Sequence, residues 1–184
     1  RKRLRTAVKA INFGLAYGMS EFKLSDTLGI SVEEAKKMIK KYFTVFPSIK
    51  KFLRQLGTFG KDYGYIRTFK PYERIRWFEN WEQSKYDFKI LGSIERASKN
   101  TPIQGTGADM IKLAMVLIRD YIKEHNFPAY LVTQVHDEIG VEVQEDRAVE
   151  WSAIQSGIME AAGEHIIKNL PMEVEASIST EWCK

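Results

Sequence analysis

An α+β fold is predicted for this chain of 184 residues, and three observations predict it. Helical apolar periods dominate the first third. Two short apolar runs, Leu131 to Val135 and Ile139 to Val143, flank a polar triplet as an antiparallel pair would. Helices come first and a small sheet with helices follows, a segregated rather than alternating order. The length fits about one domain of ~100–200 residues with a core of its own. The 44% hydrophobic and 28% charged fractions are those of an ordinary globular chain.

The first helix is predicted over Arg1 to Tyr17, with Gly18 placed to end it. Along it Arg5, Lys9, Phe13 and Tyr17 follow at four-residue steps and form one stripe. The stripe spans about 18 Å at ~1.5 Å per residue. Two cations followed by two aromatics suit a ligand with a polyanionic tail and a flat ring, a nucleoside triphosphate. Val8, Ile11 and Leu15 fall on a different, apolar side that can pack on a core. Ser20 to Leu28 reads as a short helix closed by Gly29. Ser31 and Glu34 make an S-x-x-E capping box. The helix it opens runs through Ala35, Met38, Ile39 and Tyr42 and stops before Pro47. Ser48 begins another, with Ile49, Phe52, Leu53 and Leu56 on one face.

Tyr63 to Phe78 is rich in aromatic and β-branched residues around Lys70-Pro71-Tyr72, which predicts a hairpin. Glu79 to Lys89 reads as a polar connector. From Ser93 a helical pattern runs to about His125, either continuous or broken near Pro102 and Gly105 to Gly107. A tight turn between the two apolar runs puts His136, Asp137 and Glu138 at a hairpin apex. Arg147 to Lys168 is predicted helical, and Met172 to Ile178 alternates like a final strand.

Charge is unevenly spread. Arg1 to Arg54 carry thirteen Lys and Arg against four Asp and Glu, whereas Pro128 to Lys184 carry three against eleven. The basic first third reads as a polyanion-binding surface. No apolar run approaches the ~20 residues of a membrane helix, and no secretory signal opens the chain. Cys183 is the only cysteine, so an internal disulfide is impossible. Both features point to an intracellular protein, in cytoplasm or nucleoid, an organelle or a virus-infected cell. The chain opens on Arg1 rather than Met, which points to a fragment of a larger protein.

Three motifs carry the chemistry. Arg5-x-x-x-Lys9-x-x-Asn12-Phe13-Gly14-x-x-Tyr17-Gly18 resembles motif B of the family A DNA polymerases. Glu95-Arg96-Ala97-x-x-Asn100-x-Pro102-Ile103-Gln104-Gly105-Thr106-x-Ala108-Asp109 is similar to that family's DNA-contacting helix. Gln134-Val135-His136-Asp137-Glu138 resembles its motif C. All three stand in family order and spacing across nearly the whole chain.

The resemblance implies part of a right-hand polymerase fold: helical fingers over residues 1–90 and the C-terminal part of a palm, with a small antiparallel sheet, over 91–184. It implies a DNA-dependent DNA polymerase that extends a primer by two-metal nucleotidyl transfer, with Mg²⁺, or Mn²⁺ in its place, as cofactor. Arg5, Lys9, Phe13 and Tyr17 would bind the dNTP. Fixed cations such as Arg5 and Lys9 stabilise the charge that builds on phosphoryl oxygens. The catalytic set would be Asp137, Glu138, Lys9 and His136, with Asp137 as metal ligand because Mg²⁺ prefers hard oxygens. Arg96, Asn100 and Gln104, again four apart, and His136 would contact primer-template DNA. An Arg fork and two amides can read minor-groove acceptors common to every base pair.

Two departures qualify the match. Two metal ions need carboxylates from more than one strand, and the family draws the second aspartate from motif A, a D-Y-S-x-x-E strand that nothing here matches. The expected partner is therefore a polymerase chain or segment carrying motif A and the thumb. The hairpin also has Lys70-Pro71-Tyr72-Glu73-Arg74 where many members carry Gly-Arg-Arg. Two other readings stand beside this one: a single-subunit RNA polymerase fragment, and a non-catalytic nucleic-acid-binding module retaining the fold. Gln104-Gly105-Thr106 and the Glu after Asp137 favour DNA synthesis over the first. Retention of Arg5, Lys9, His136 and Asp137 disfavours the second.

Overall fold

A computed structural model describes Val8 and residues 11–12, 14–15 and 18–181. The fold is α+β: helices α1 (Glu21–Leu28), α2 (Val32–Val45), α3 (Pro47–Tyr63), α4 (Phe88–Glu124) and α5 (Ala148–Ile166) accompany two hairpins. Strands β1 (Tyr65–Arg67) and β2 (Ile75–Trp77) form one hairpin, and β3 (Ala129–Val135) and β4 (Glu138–Val143) the other. Short 3₁₀ turns cover Glu82–Lys85 and Glu145–Arg147. Two compact units result: the described residues of Arg1–Thr68 with Glu73–Ile103, and Phe69–Tyr72 with Gln104 onward.

Local chemistry sets the helix ends of the first unit. The helix holding Val8 and Leu15 closes at Gly18, whose φ is +74°. The Gly18 N–H donates to the Leu15 carbonyl and the Met19 N–H to that of Gly14, the paired bonds of a Schellman end. Leu15 is buried, as expected of that helix's apolar side, but Val8 is 55% exposed. Ser20 caps α1 by accepting from the Lys23 N–H, and Gly29 ends it in the left-handed region. Ser31 and Glu34 make the reciprocal capping box of α2. Helix α3 starts at Pro47, one residue before Ser48, because proline suits a first helical position.

The buried side of α3 runs through Leu53, Gly57 and Gly60, while Ile49 and Phe52 of the predicted face stay exposed. The glycines explain the shift. A Cβ on Gly57 would lie 2.9 Å from the Glu95 Cγ, and one on Gly60 would overlap the Ser98 side chain. The missing side chains of Gly57 and Gly60 make room for Glu95 and Ser98 of α4. Helix α4 runs unbroken for 37 residues, beginning five residues before Ser93. Pro102 removes one N–H from the ladder, yet its ring is fully buried, so packing offsets the lost rung.

In the second unit Ala114, Ile118, Phe127, Ala129, Ile139, Trp151 and Ala162 form the core. Phe127 and Trp151 lie 5.0 Å apart between ring centres. A two-stranded hairpin is marginal alone, and here α4 and α5 supply its apolar backing. The expected strand over Met172 to Ile178 does not form: residues 171–179 carry no ladder. Alternation selects a buried face but cannot create a pairing edge. One backbone donor, the Val174 N–H, goes to the Glu160 carboxylate instead.

Candidate active site and nucleic-acid interface

The β3–β4 hairpin shows how sequence places a carboxylate. Val135 pairs with Glu138, so His136 and Asp137 alone make the turn. Glu138, expected at the apex, is instead the first residue of β4. His136 has φ +56° and Asp137 has no positive φ, the sign pattern of a type II′ turn, which favours glycine at its first position. Histidine is among the few other residue types enriched at positive φ; such conformers cost of order 1–3 kcal/mol and cluster at functional sites. All three side chains are exposed. A β-bulge between Leu131 and Thr133 precedes the turn, and bulges of this kind re-aim side chains near active sites.

Two residues to which no role was assigned from sequence hold this turn. The Gln134 amide donates to the His136 carbonyl at 2.6 Å. From α5, the Gln155 amide donates to the Ile139 carbonyl at 2.9 Å while accepting from the Trp151 indole N–H at 2.8 Å. The turn is thus braced from both strands. A polar residue two positions before a turn was a usable signal for Gln134; nothing local marks Gln155.

Asp137 and Glu138 offer the hard oxygens that Mg²⁺ prefers. Among the described residues no group of three or more His, Cys, Asp or Glu side chains could hold a metal ion. The two carboxylates suit Mg²⁺ as donors but do not by themselves fill the six oxygen positions it takes.

Arg96, Asn100 and Gln104 lie on α4, and steps of four residues put them on one helical face. Arg96 and Gln104 are exposed, and Asn100 is half-buried. The carboxylate next to Arg96 is already engaged: Glu95 meets Lys99 at 2.6 Å and Lys61 at 3.5 Å. The Lys99 hydrogen bond, foremost, holds the Glu95 carboxyl below its ordinary range. Arg96 itself joins no ion pair among the described residues, which leaves it available for a phosphate or a base edge. A Cβ on Gly18 would lie 3.3 Å from the Arg96 Cγ, so the end of the first helix closes onto this arginine. Arg5, Lys9, Phe13 and Tyr17 lie outside the described residues.

Among the described residues no helix is long and apolar enough to cross a membrane. A family model described as DNA polymerase family A matches residues 1–184. The thermostable DNA polymerase I of Thermus filiformis is 36% identical over 180 residues, which is 98% of this chain and 20% of that protein. DNA polymerase I of Streptococcus pneumoniae (strain TIGR4) is 36% identical over 178 residues, 97% of this chain and 20% of the relative. The chain thus spans about a fifth of the curated relatives it matches. Among solved structures, the POL domain of Pol1 from M. smegmatis, in complex with DNA primer-template and dNTP, is similar with a TM-score of 0.78 at 36% identity. That match covers 86% of this chain and 27% of the other.

Proposed function

The chain belongs to DNA polymerase family A, and from that membership we propose that it supplies the fingers, residues 1–90, and the C-terminal part of the palm, residues 91–184, of a DNA-dependent DNA polymerase. The observation that carries this reading is Asp137 on a two-residue turn held by Gln134 and Gln155, flanked by His136 and Glu138, in a chain matched from end to end by the family. A segment bearing motif A and the thumb completes the enzyme. Its setting is intracellular, with primer-template DNA and dNTPs as substrates.

In the reaction the primer 3′-hydroxyl attacks the α-phosphorus of the dNTP. A new P–O bond forms, the bond to the bridging oxygen breaks, and pyrophosphate leaves. Asp137, joined by carboxylates of the complementing segment, would hold Mg²⁺; Glu138 beside it adds negative potential. When bound, Mg²⁺ supplies Lewis-acid activation of the hydroxyl and neutralises developing charge. Arg5 and Lys9 hold the triphosphate, Phe13 lies against the sugar and base, and Tyr17 stands where the new pair is checked for shape. His136 contacts the primer terminus. Arg96, Asn100 and Gln104 meet minor-groove acceptors present on every pair, which tests pair geometry without reading sequence.

Reconstitution tests this. The purified chain alone should extend no primer, and adding a motif-A-bearing segment should restore dNTP incorporation over rNTP. Asp137→Ala in the reconstituted enzyme should abolish turnover while primer-template binding persists, since affinity rests mainly on cations. Near-normal synthesis by that variant would refute the metal role, and preferred rNTP use would favour an RNA polymerase.

A further inference from the structure

Resting on the polymerase reading, we propose that Met19 is a positioning residue for the dNTP, its thioether standing in for the side chain that Gly14 lacks. A helix that ends on a left-handed glycine usually adds a hydrophobic contact between the residue after that glycine and the one four positions before it. Here those two are Met19 and Gly14, on either side of Gly18 with its φ of +74°. The Met19 N–H donates to the Gly14 carbonyl at 2.7 Å and the Gly18 N–H to the Leu15 carbonyl at 3.1 Å. With no side chain on Gly14 to meet, Met19 lies against the helix backbone itself. A Cβ on Gly14 would stand 2.6 Å from the Met19 Cε and 2.7 Å from its Sδ, closer than real Cβ atoms come.

Glycine is the poorest helix former after proline, yet Gly14 is helical and buried. The contact supplies the reason: only a residue without Cβ lets the thioether reach the backbone there. Methionine suits the other half, because its unbranched chain and polarisable sulfur fill irregular gaps. Met19 is itself half-buried, so it covers the turn without leaving the surface.

Position ties the contact to the substrate. Gly14 directly follows Phe13 and stands three residues before Tyr17, a spacing that makes neighbours on a helix surface. Two other holds fix this end of the helix: Leu15 is buried, and Gly18 lies against the Arg96 side chain of α4. Met19 adds a third, on the turn between the two aromatics. A misplacement of about 1 Å can cost ~100-fold in rate, so this hold weighs on substrate use more than on folding.

Single-nucleotide incorporation by the reconstituted enzyme tests the proposal. Met19→Ala should raise the KM for dNTP by roughly 3- to 10-fold and leave primer-template affinity within about twofold of the parent. Met19→Leu, which nearly conserves volume, should restore the parent KM. Gly14→Ala should raise KM as Met19→Ala does, because its methyl displaces the end of the Met19 side chain. The Gly14→Ala, Met19→Ala double variant should then be no worse than the poorer single, since both changes remove one contact. A Met19→Ala enzyme with the parent KM would overturn the role while the polymerase reading stands, whatever its melting temperature. KM losses that multiply in the double variant, or a Met19→Leu enzyme no better than Met19→Ala, would overturn it too. Equal losses in dNTP use and primer-template affinity would mark a merely structural residue, again against the proposal. A reconstituted parent that incorporates no dNTP would overturn this proposal and the polymerase reading together.

Discussion

Gln155→Leu tests whether α5 holds the turn that carries Asp137. The substitution keeps the side chain's bulk and removes both amide bonds, leaving the Ile139 carbonyl and the Trp151 indole N–H without their partner. Those residues are 8% and 3% exposed, so water cannot readily replace the lost bonds. A buried polar group left unmade costs ~1–3 kcal/mol, so two such groups together cost about 2–6 kcal/mol. The apolar leucine returns about 1 kcal/mol by burial. The expected net loss of about 1–5 kcal/mol corresponds to a fall in Tm of roughly 2–20 °C for a protein of this size. Thermal unfolding followed by circular dichroism and tryptophan fluorescence measures it. In a reconstituted enzyme, kcat should fall further than the stability loss explains, because a misplacement of about 1 Å can cost ~100-fold in rate. The KM for dNTP should change little. A variant that melts within 1 °C of the parent and retains full kcat would refute the reasoning.

Other perturbations separate packing, charge and substrate recognition. Gly60→Ala should destabilise by about 1–3 kcal/mol, because its Cβ would overlap Ser98. Gly157→Ala, whose Cβ meets nothing within 4 Å, should stabilise by about 0.4–1 kcal/mol; urea melts of the pair read both signs, and equal effects would contradict the packing described. Glu95 has a depressed pKa in the fold, so its contribution is present above the ordinary 4.5 of a Glu and is lost as pH falls through the folded value. Against Glu95→Gln, the parent should therefore gain about 0.2–1 kcal/mol at neutral pH, a gap that closes in acid; a gap independent of pH would rule out the ion pair as its source. Phe13→Tyr adds a hydroxyl where a dideoxynucleotide lacks one, and should raise ddNTP incorporation relative to dNTP in competition assays. An unchanged ratio would show that Phe13 does not face the sugar.

Much of this protein is local and was therefore legible as sequence. Ser20, Ser31 with Glu34, Gly18 and Gly29 end their helices through bonds reaching no more than five residues, which is why their positions could be read from residue type alone. The turn carrying Asp137 was legible for the same reason, being bounded by two apolar runs, and the family motifs supplied the roles proposed for it. Tertiary structure decided what depends on distant partners. Pro102 stays within α4 because its ring is buried, and Met172 to Ile178 stays unpaired because alternation supplies no neighbouring edge. Gly57 and Gly60, intrinsically weak helix formers, are where α3 meets α4. Glu138 left the apex for the strand once the pairing register was fixed. Gln155, sixteen residues from Ile139, became the turn's support only when folding brought α5 against β4. A cap or a turn satisfies its hydrogen bonds with its own neighbours in sequence, whereas a buried face, a ladder or a brace exists only when the rest of the chain delivers the other half.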